Sequence, residues 1–277
     1  MSLLDFTVDT VTCTRCGDCV ADCPARIIAM VNGIPDIEDE KEASCYRCQH
    51  CLMICPTGAI SIFGVSPVGS ILLAGNLPDP DQVETLIKGR RSVRRYKPEN
   101  LKPELIQRLL DVAWQAPTGM NSRDVLFTVL DDREKVARLR VEVMAGLGRL
   151  VRGGGLPEGL AFFADFVRLW EEKQVDILFR GAPHLVIASA PSNAASPVPD
   201  CLISLSNFEL FARSLGVGTV WNGLTLWAIT TLLPETLKRL GIPEDHVVGY
   251  AMSFGTPALH YVRTVQHGAA TVNWVKM

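Results

Sequence analysis

The sequence predicts an α+β protein in which a small cysteine-rich domain precedes a larger mixed domain. Three observations lead there. Eight of the nine cysteines lie between Cys13 and Cys55, in two matching runs. Beyond residue 80, helical and strand periodicities alternate without the even rhythm of a doubly wound parallel sheet. No G-x-G-x-x-G follows a strand-like stretch, so a dinucleotide-binding α/β fold is not expected. At 277 residues the length suits two domains or one large one. Their expected bounds are 1–63 and 81–277, with 64–80 as linker.

The first run is Cys13-Thr-Arg-Cys16-Gly-Asp-Cys19-Val-Ala-Asp-Cys23-Pro24, and the second is Cys45-Tyr-Arg-Cys48-Gln-His-Cys51-Leu-Met-Ile-Cys55-Pro56. Both read C-x2-C-x2-C-x3-C-P, and every cysteine and proline recurs 32 residues later, an internal duplication. This is the spacing with which bacterial ferredoxins hold [4Fe–4S] clusters. Three thiolates two residues apart can curl around one corner of a cubane, while the fourth, ahead of proline, turns to the other cluster. One cluster is then expected on Cys13, Cys16, Cys19 and Cys55, the other on Cys45, Cys48, Cys51 and Cys23. A zinc site would leave cysteines over in each run. A disulfide framework does not suit thiols this dense ahead of a large cysteine-poor domain.

Short apolar stretches, Phe6-Thr-Val, Ile27-Ile-Ala-Met and Ile60-Ser-Ile-Phe63, flank the runs and suit short strands. A domain of about 60 residues has little core without such staples. Acidic Asp36 to Glu42 reads as a solvated loop. The glycines and prolines from Gly64 to Pro80 mark the linker, and Asp81 is expected to open a nine-residue helix.

Leu101 to Trp114 has one apolar helical face and Pro103 in its first turn. Residues 116–123 form a loop, Val125 to Leu130 a strand, and Asp131 caps a helix running toward Leu150 that Gly153-Gly-Gly155 breaks. Glu158 to Gln174 is helical, and its aromatic residues suit a core or dimer face. His184 to Ala190 is apolar and β-branched, hence a buried strand. Asp200 to Leu215 is a long apolar helix placed centrally and ended at Gly216, with Cys201 on it as a small hydrophobe. Thr219 to Trp221 is a strand followed by a turn at Asn222-Gly223, Pro234 to Leu240 a short helix, His246 to Phe254 a strand, and Tyr261 to Val275 an extended tail. His184 and His246 read as structural.

Hydrophobic content is 48%, charged content 21% and net charge −3, which is ordinary for a globular protein and argues against nucleic acid as partner. Residues 1–63 carry nine acids against four bases, so the rest is slightly basic, a pattern suited to charge-guided docking. No apolar run reaches the roughly 18 residues of a membrane helix. No basic region with a long apolar core opens the chain, so the expected location is cytoplasmic, with no membrane partner.

Arg90-Arg-Ser-Val-Arg-Arg-Tyr96 is the second constellation. In an extended segment Arg90, Ser92 and Arg94 share a face. That face offers two guanidinium forks and a hydroxyl to a phosphate monoester or an electron-rich ring edge. A solvated basic patch is the other reading of such a run.

With a helix after it, then Ala116-Pro117-Thr118-Gly119-Met120-Asn121-Ser122, Ala182-Pro183-His184 entering a strand, and Gly216-Val-Gly218-Thr-Val-Trp221-Asn-Gly223 after a long helix, the run resembles the FMN-binding nitroreductase family over roughly residues 84–277. The cysteine module ahead resembles the ferredoxin-fused branch of that family. The resemblance implies an α+β homodimer with FMN at each subunit interface. Arg90, Arg91, Ser92 and Arg94 match positions holding phosphate, ribityl and pyrimidine edge, Arg94 near N1 and O2. Pro117, Thr118, Asn121 and Ser122 match the loop reaching the partner subunit's flavin. Val220, Trp221, Asn222 and Gly223 match the segment passing its dimethylbenzene and N5 side. Departures are Thr118-Gly119 for the usual serine, Arg123-Asp-Val125 for Gln-Pro-Trp, and Arg263 with His267 where the family places a basic phosphate contact. A tryptophan ending a strand, as Trp221 does, is also a common core residue.

The implied activity is an FMN-dependent oxidoreductase in which two [4Fe–4S] clusters pass electrons to FMN for reduction of a small organic acceptor, such as a nitroaromatic or quinone. The donor would be reduced ferredoxin, flavodoxin or an NAD(P)H system. No side chain stands out as an acid–base catalyst. Two other readings stay open: an iron–sulfur redox or oxygen sensor without turnover, and a flavoenzyme with a narrow role such as reductive dehalogenation.

Overall fold

The computed structural model describes residues 4–277. It divides into two units, Met1–Pro78 with Met120–Ser122, and Asp79–Gly119 with Arg123–Met277.

In the first unit, β1 (Thr7–Val8), α1 (Asp18–Asp22), β2 (Ile28–Val31), β3 (Ile34–Ile37), a 3-10 segment at Asp39–Ser44, α2 (His50–Ile54) and β4 (Ile60–Ser61) follow in order. β1 pairs antiparallel with β4 and β2 with β3. The duplication reappears in the backbone. Left-handed residues recur 32 positions apart, at Arg15 and Arg47, Gly17 and Gln49, and Arg26 and Gly58. These bends wrap each loop around a centre, and the helix that follows carries the third cysteine, Cys19 in α1 and Cys51 in α2. Leu4, Ile27, Ile28, Ile37, Leu52, Ile60 and Ile62 form the small core. The acidic stretch is not simply a solvated loop. Asp36 and Ile37 belong to β3, where Pro35 and Ile37 alternate inward, and Glu42 is buried.

The second unit runs through α3 (Pro80–Lys88), α4 (Pro103–Ala113), β5 (Leu126–Leu130), α5 (Arg133–Arg152), α6 (Phe163–Lys173), β6 (His184–Pro191), α7 (Pro197–Ser214), β7 (Gly218–Trp221), α8 (Gly223–Trp227), α9 (Glu235–Arg239) and β8 (His246–Gly255). Its sheet has the order β5-β6-β8-β7, antiparallel throughout. Side chains of β6 alternate between two cores. Leu185 and Ile187 join the group that includes α5 and α6; Val186, Ala188 and Ala190 join α4 and α7. Helices therefore cover both faces of the sheet, and α7 lies against β6, β7 and β8.

Local differences from expectation have local causes. Pro80 has no N–H to cap, so Asp79 is the N-cap of α3 and accepts from the Asp81 amide at 2.8 Å. Asn222 caps α8 instead of ending in a turn, accepting from the Thr225 amide at 3.1 Å. The helix continues as a π turn over Ala228–Leu232. No helix of the described residues is long and apolar enough to cross a membrane.

Candidate functional site

The loops of the first unit bring the eight cysteines together as two sets of four. Cys13, Cys16, Cys19 and Cys55 line one cavity, with Thr14 and Thr57. Cys23, Cys45, Cys48 and Cys51 line another, walled by Ile27, Ile28, Ile37 and Ile62. All eight are free thiols. In each set the fourth thiol comes from the other run. Burial pushes the Cys51 thiol up to about 11 and raises Cys19 and Cys45. Burial also raises Cys55, but donation from the Ala59 amide (3.2 Å) and the Thr57 hydroxyl (3.7 Å) outweighs it and leaves that thiol below its ordinary value. Soft thiol donors around an apolar-walled space suit an iron–sulfur cluster.

In the second unit, the arginine run extends along the edge of β7. Ser92 bridges Thr219 in parallel, and the Val93 amide donates to the Thr219 carbonyl at 2.8 Å. Val93 points inward against Gly218, where a Cβ would come within 2.7 Å of it. Ser92 and Arg94 consequently take the opposite face, and Arg94 is exposed. Tyr96 anchors the end of the run by donating to the Val93 carbonyl at 2.8 Å; its burial raises the phenol and keeps it protonated. Arg90, Arg91, Arg213, Thr219, His260 and Tyr261 line a cleft. Arg263 does not line it, and it is exposed. His260 and Tyr261 are instead the residues that the C-terminal segment brings to Arg90.

Glu209 ties these parts together. It sits on α7, 5% exposed, and accepts from Arg90 Nη1 at 3.1 Å, Thr219 Oγ1 at 3.2 Å and Trp221 Nε1 at 2.9 Å. Trp221 is half-buried and packs edge-on against Tyr250. Val220 is buried. The Asn222 side chain is committed to Leu178 O, Ser253 Oγ and the Thr225 amide, so it fixes the segment leading to Gly223. Sequence reasoning overlooks Glu209; its signal is an acid in the middle of an otherwise apolar helix.

The loop between α4 and β5 is held from α7 too. Both oxygens of buried Asp200 accept from the Gly119 amide, at 3.2 and 3.1 Å. Thr118 Oγ1 accepts from the Arg123 amide at 3.0 Å, while Pro117 is exposed. Asn121 and Ser122 fall in the first unit, where Asn121 Nδ2 donates to the Tyr46 carbonyl at 2.8 Å. Within the second unit the structure therefore gathers Arg90, Ser92 and the 220–223 segment around β7, and Arg263 is not among the residues lining the cleft.

The nitroreductase family model matches residues 87–256, more than half of the chain. The chain belongs to the nitroreductase family. Ahead of this nitroreductase domain, residues 12–60 match the 4Fe-4S dicluster domain. The nitroreductase NfnB of Mycolicibacterium smegmatis is 25% identical over 214 residues, covering 67% of this chain and 88% of that one. A nitroreductase from Bacteroides fragilis, solved with bound FMN, superposes with a TM-score of 0.55 at 25% identity, over 69% of this chain and 98% of its own. One from Desulfitobacterium hafniense, also solved with FMN, gives 0.54 at 26%, over 71% and 100%. The nitroreductase domain thus has the fold of FMN-dependent oxidoreductases, and the protein is a redox enzyme.

Proposed function

We propose that this nitroreductase carries two [4Fe–4S] clusters and one FMN per chain, and that electrons from an external low-potential donor pass through the clusters to the flavin, which reduces a small organic acceptor such as a nitroaromatic or quinone. What carries the reading is the partition of eight free thiols into two four-thiol cavities within a chain whose remainder is a nitroreductase. On this reading Cys13, Cys16, Cys19 and Cys55 hold one cluster, and Cys23, Cys45, Cys48 and Cys51 hold the other. The relatives solved with FMN support the flavin, and so does the cationic cleft at Arg90. When bound, flavin supplies two-electron chemistry and the clusters supply single-electron transfer.

The chain's own residues hold and tune these groups. Arg90, which lines the cleft with Arg91 and Arg213, would hold a phosphate monoester. Ser92 and Arg94 on the outward face would hold the ribityl chain and the pyrimidine edge, with Arg94 offsetting negative charge there. Val220 to Gly223 hold the ring's other side, and Pro117, Thr118, Asn121 and Ser122 serve the flavin of the partner subunit in a homodimer. Free thiols in this number fit a reducing compartment such as the cytoplasm.

The test is the visible spectrum of anaerobically purified protein, with iron, sulfide and FMN counted per chain. About eight iron, about eight sulfide and about one FMN are expected, both chromophores bleaching with dithionite. A Cys13→Ser/Cys45→Ser variant should keep FMN but lose its reduction by a low-potential protein donor. Flavin without iron, or iron without flavin, would sink the reading.

A further inference from the structure

We propose that Glu209 is a positioning residue of the flavin site, its buried carboxylate fixing the Arg90 guanidinium for the cofactor phosphate. The inference rests on the reading that Arg90 meets that phosphate, and the test separates the two.

Burying a carboxylate on a core helix costs several kcal/mol unless it is paired and hydrogen-bonded. An apolar residue would pack against β7 without that cost, so the acid is explained by what it holds. Its partners are two neutral donors, the Thr219 hydroxyl and the Trp221 indole, and one cation, Arg90. A neutral amide could serve the first two, accepting from the indole and donating to the hydroxyl oxygen. Only the guanidinium calls for a charge.

The geometry is directional. The Glu209 side chain is 6% exposed and that of Arg90 is 35% exposed, so the pair runs from the core out to the cleft wall. Glu209 engages Nη1, leaving the other guanidinium N–H groups to a ligand in the cleft lined by Arg91, Arg213 and His260. An arginine held at one edge loses less side-chain freedom when its other edge takes a phosphate. The same carboxylate fixes the Trp221 indole at 2.9 Å, so one side chain sets two segments assigned to the flavin.

The experiment measures dissociation constants of FMN and riboflavin for deflavinated full-length protein, in wild type, Glu209→Gln, Arg90→Ala and the double variant. Glutamine removes the charge while its carbonyl oxygen can still accept from Trp221 and its NH2 can donate to the Thr219 hydroxyl oxygen, and thermal melting checks that it folds. Glu209→Gln should weaken FMN by about tenfold and riboflavin by less than about twofold. In the Arg90→Ala background it should add nothing further. Equal weakening of both flavins, an additive double variant, or unchanged FMN affinity in Glu209→Gln would overturn the proposal. Unchanged FMN affinity in Arg90→Ala would instead overturn the phosphate reading beneath it, and the proposal with it.

Discussion

His184 shows what one buried titratable group demands. It is fully buried, its Nε2 accepts from the Leu101 amide at 2.9 Å, and its ring packs on Phe254. Burial pushes its pKa below the ordinary value, and the nearby Asp131 and Asp132 offset this only in part. The folded state therefore binds the proton less readily than the unfolded chain. Stability is full above the unfolded value of about 6.5 and falls as pH drops below it. Melting temperature should decline between about pH 7 and pH 5, and His184→Gln should flatten that decline while keeping an acceptor for Leu101. An equally steep decline in the variant would exclude His184 as its source. Thr57 makes a different point, because the duplication supplies its own control. The residue two after the fourth cysteine is Thr57 in one repeat and Ala25 in the other, and the Thr57 hydroxyl lies 3.7 Å from Cys55 Sγ. Hydrogen bonds to cluster sulfur stabilise the more negative, reduced state. Thr57→Val should lower the potential of the cluster assigned to Cys55, and Ala25→Thr should raise the other. Redox titration followed by electron paramagnetic resonance reads both shifts, and identical potentials in all variants would contradict the tuning.

At the scale of elements, the approach of α7 to β8 depends on one missing side chain. A Cβ on Gly249 would lie 2.2 Å from that of Cys201. Gly249→Ala should destabilise the protein by about 3 kcal/mol or more in urea unfolding. Cys201→Ala should not rescue it, since alanine keeps the offending Cβ, whereas Cys201→Gly should. Which elements could be read from sequence follows from how local their causes are. The apolar run of β6 and the periodic face of α4 carry their burial in their own residues. So do the cysteine runs, whose repeated spacing is mirrored in the repeated left-handed bends of their loops. The β2–β3 hairpin carries a local signal too, Asn32-Gly33 with both residues left-handed, but the acidic run after it disguises the second strand. α8 is less legible. Asn-Gly serves a turn or a helix cap equally well, and Leu178 and Ser253, distant in sequence, decide for the cap. Glu209 is the extreme case: its partners lie 10, 12 and 119 positions away.

For the whole molecule, the two units draw stability from different sources. The second has two hydrophobic groups, one on each face of a four-stranded sheet. The first relies on a few isoleucines and leucines together with the cysteines themselves, and its strands are two to four residues long. A unit of this size buries too little apolar surface to hold its fold securely by that means alone. Clusters bound by eight thiolates would supply the missing stability, because ligand binding to a site absent from the unfolded chain is folding free energy. Calorimetry of the anaerobic holoprotein should then resolve two transitions. After iron is stripped under reducing conditions, the transition of the first unit should disappear or fall by tens of degrees, on the order expected for losing several kcal/mol from so small a unit. The transition of the second should stay within a few degrees of its original position. Hydrogen exchange assigns each transition, through the amides of α1 and α2 on one side and of β6 and β8 on the other. Loss of protection in β6 and β8 together with α1 and α2 would mean that the units unfold as one, and that the clusters also hold the nitroreductase domain together.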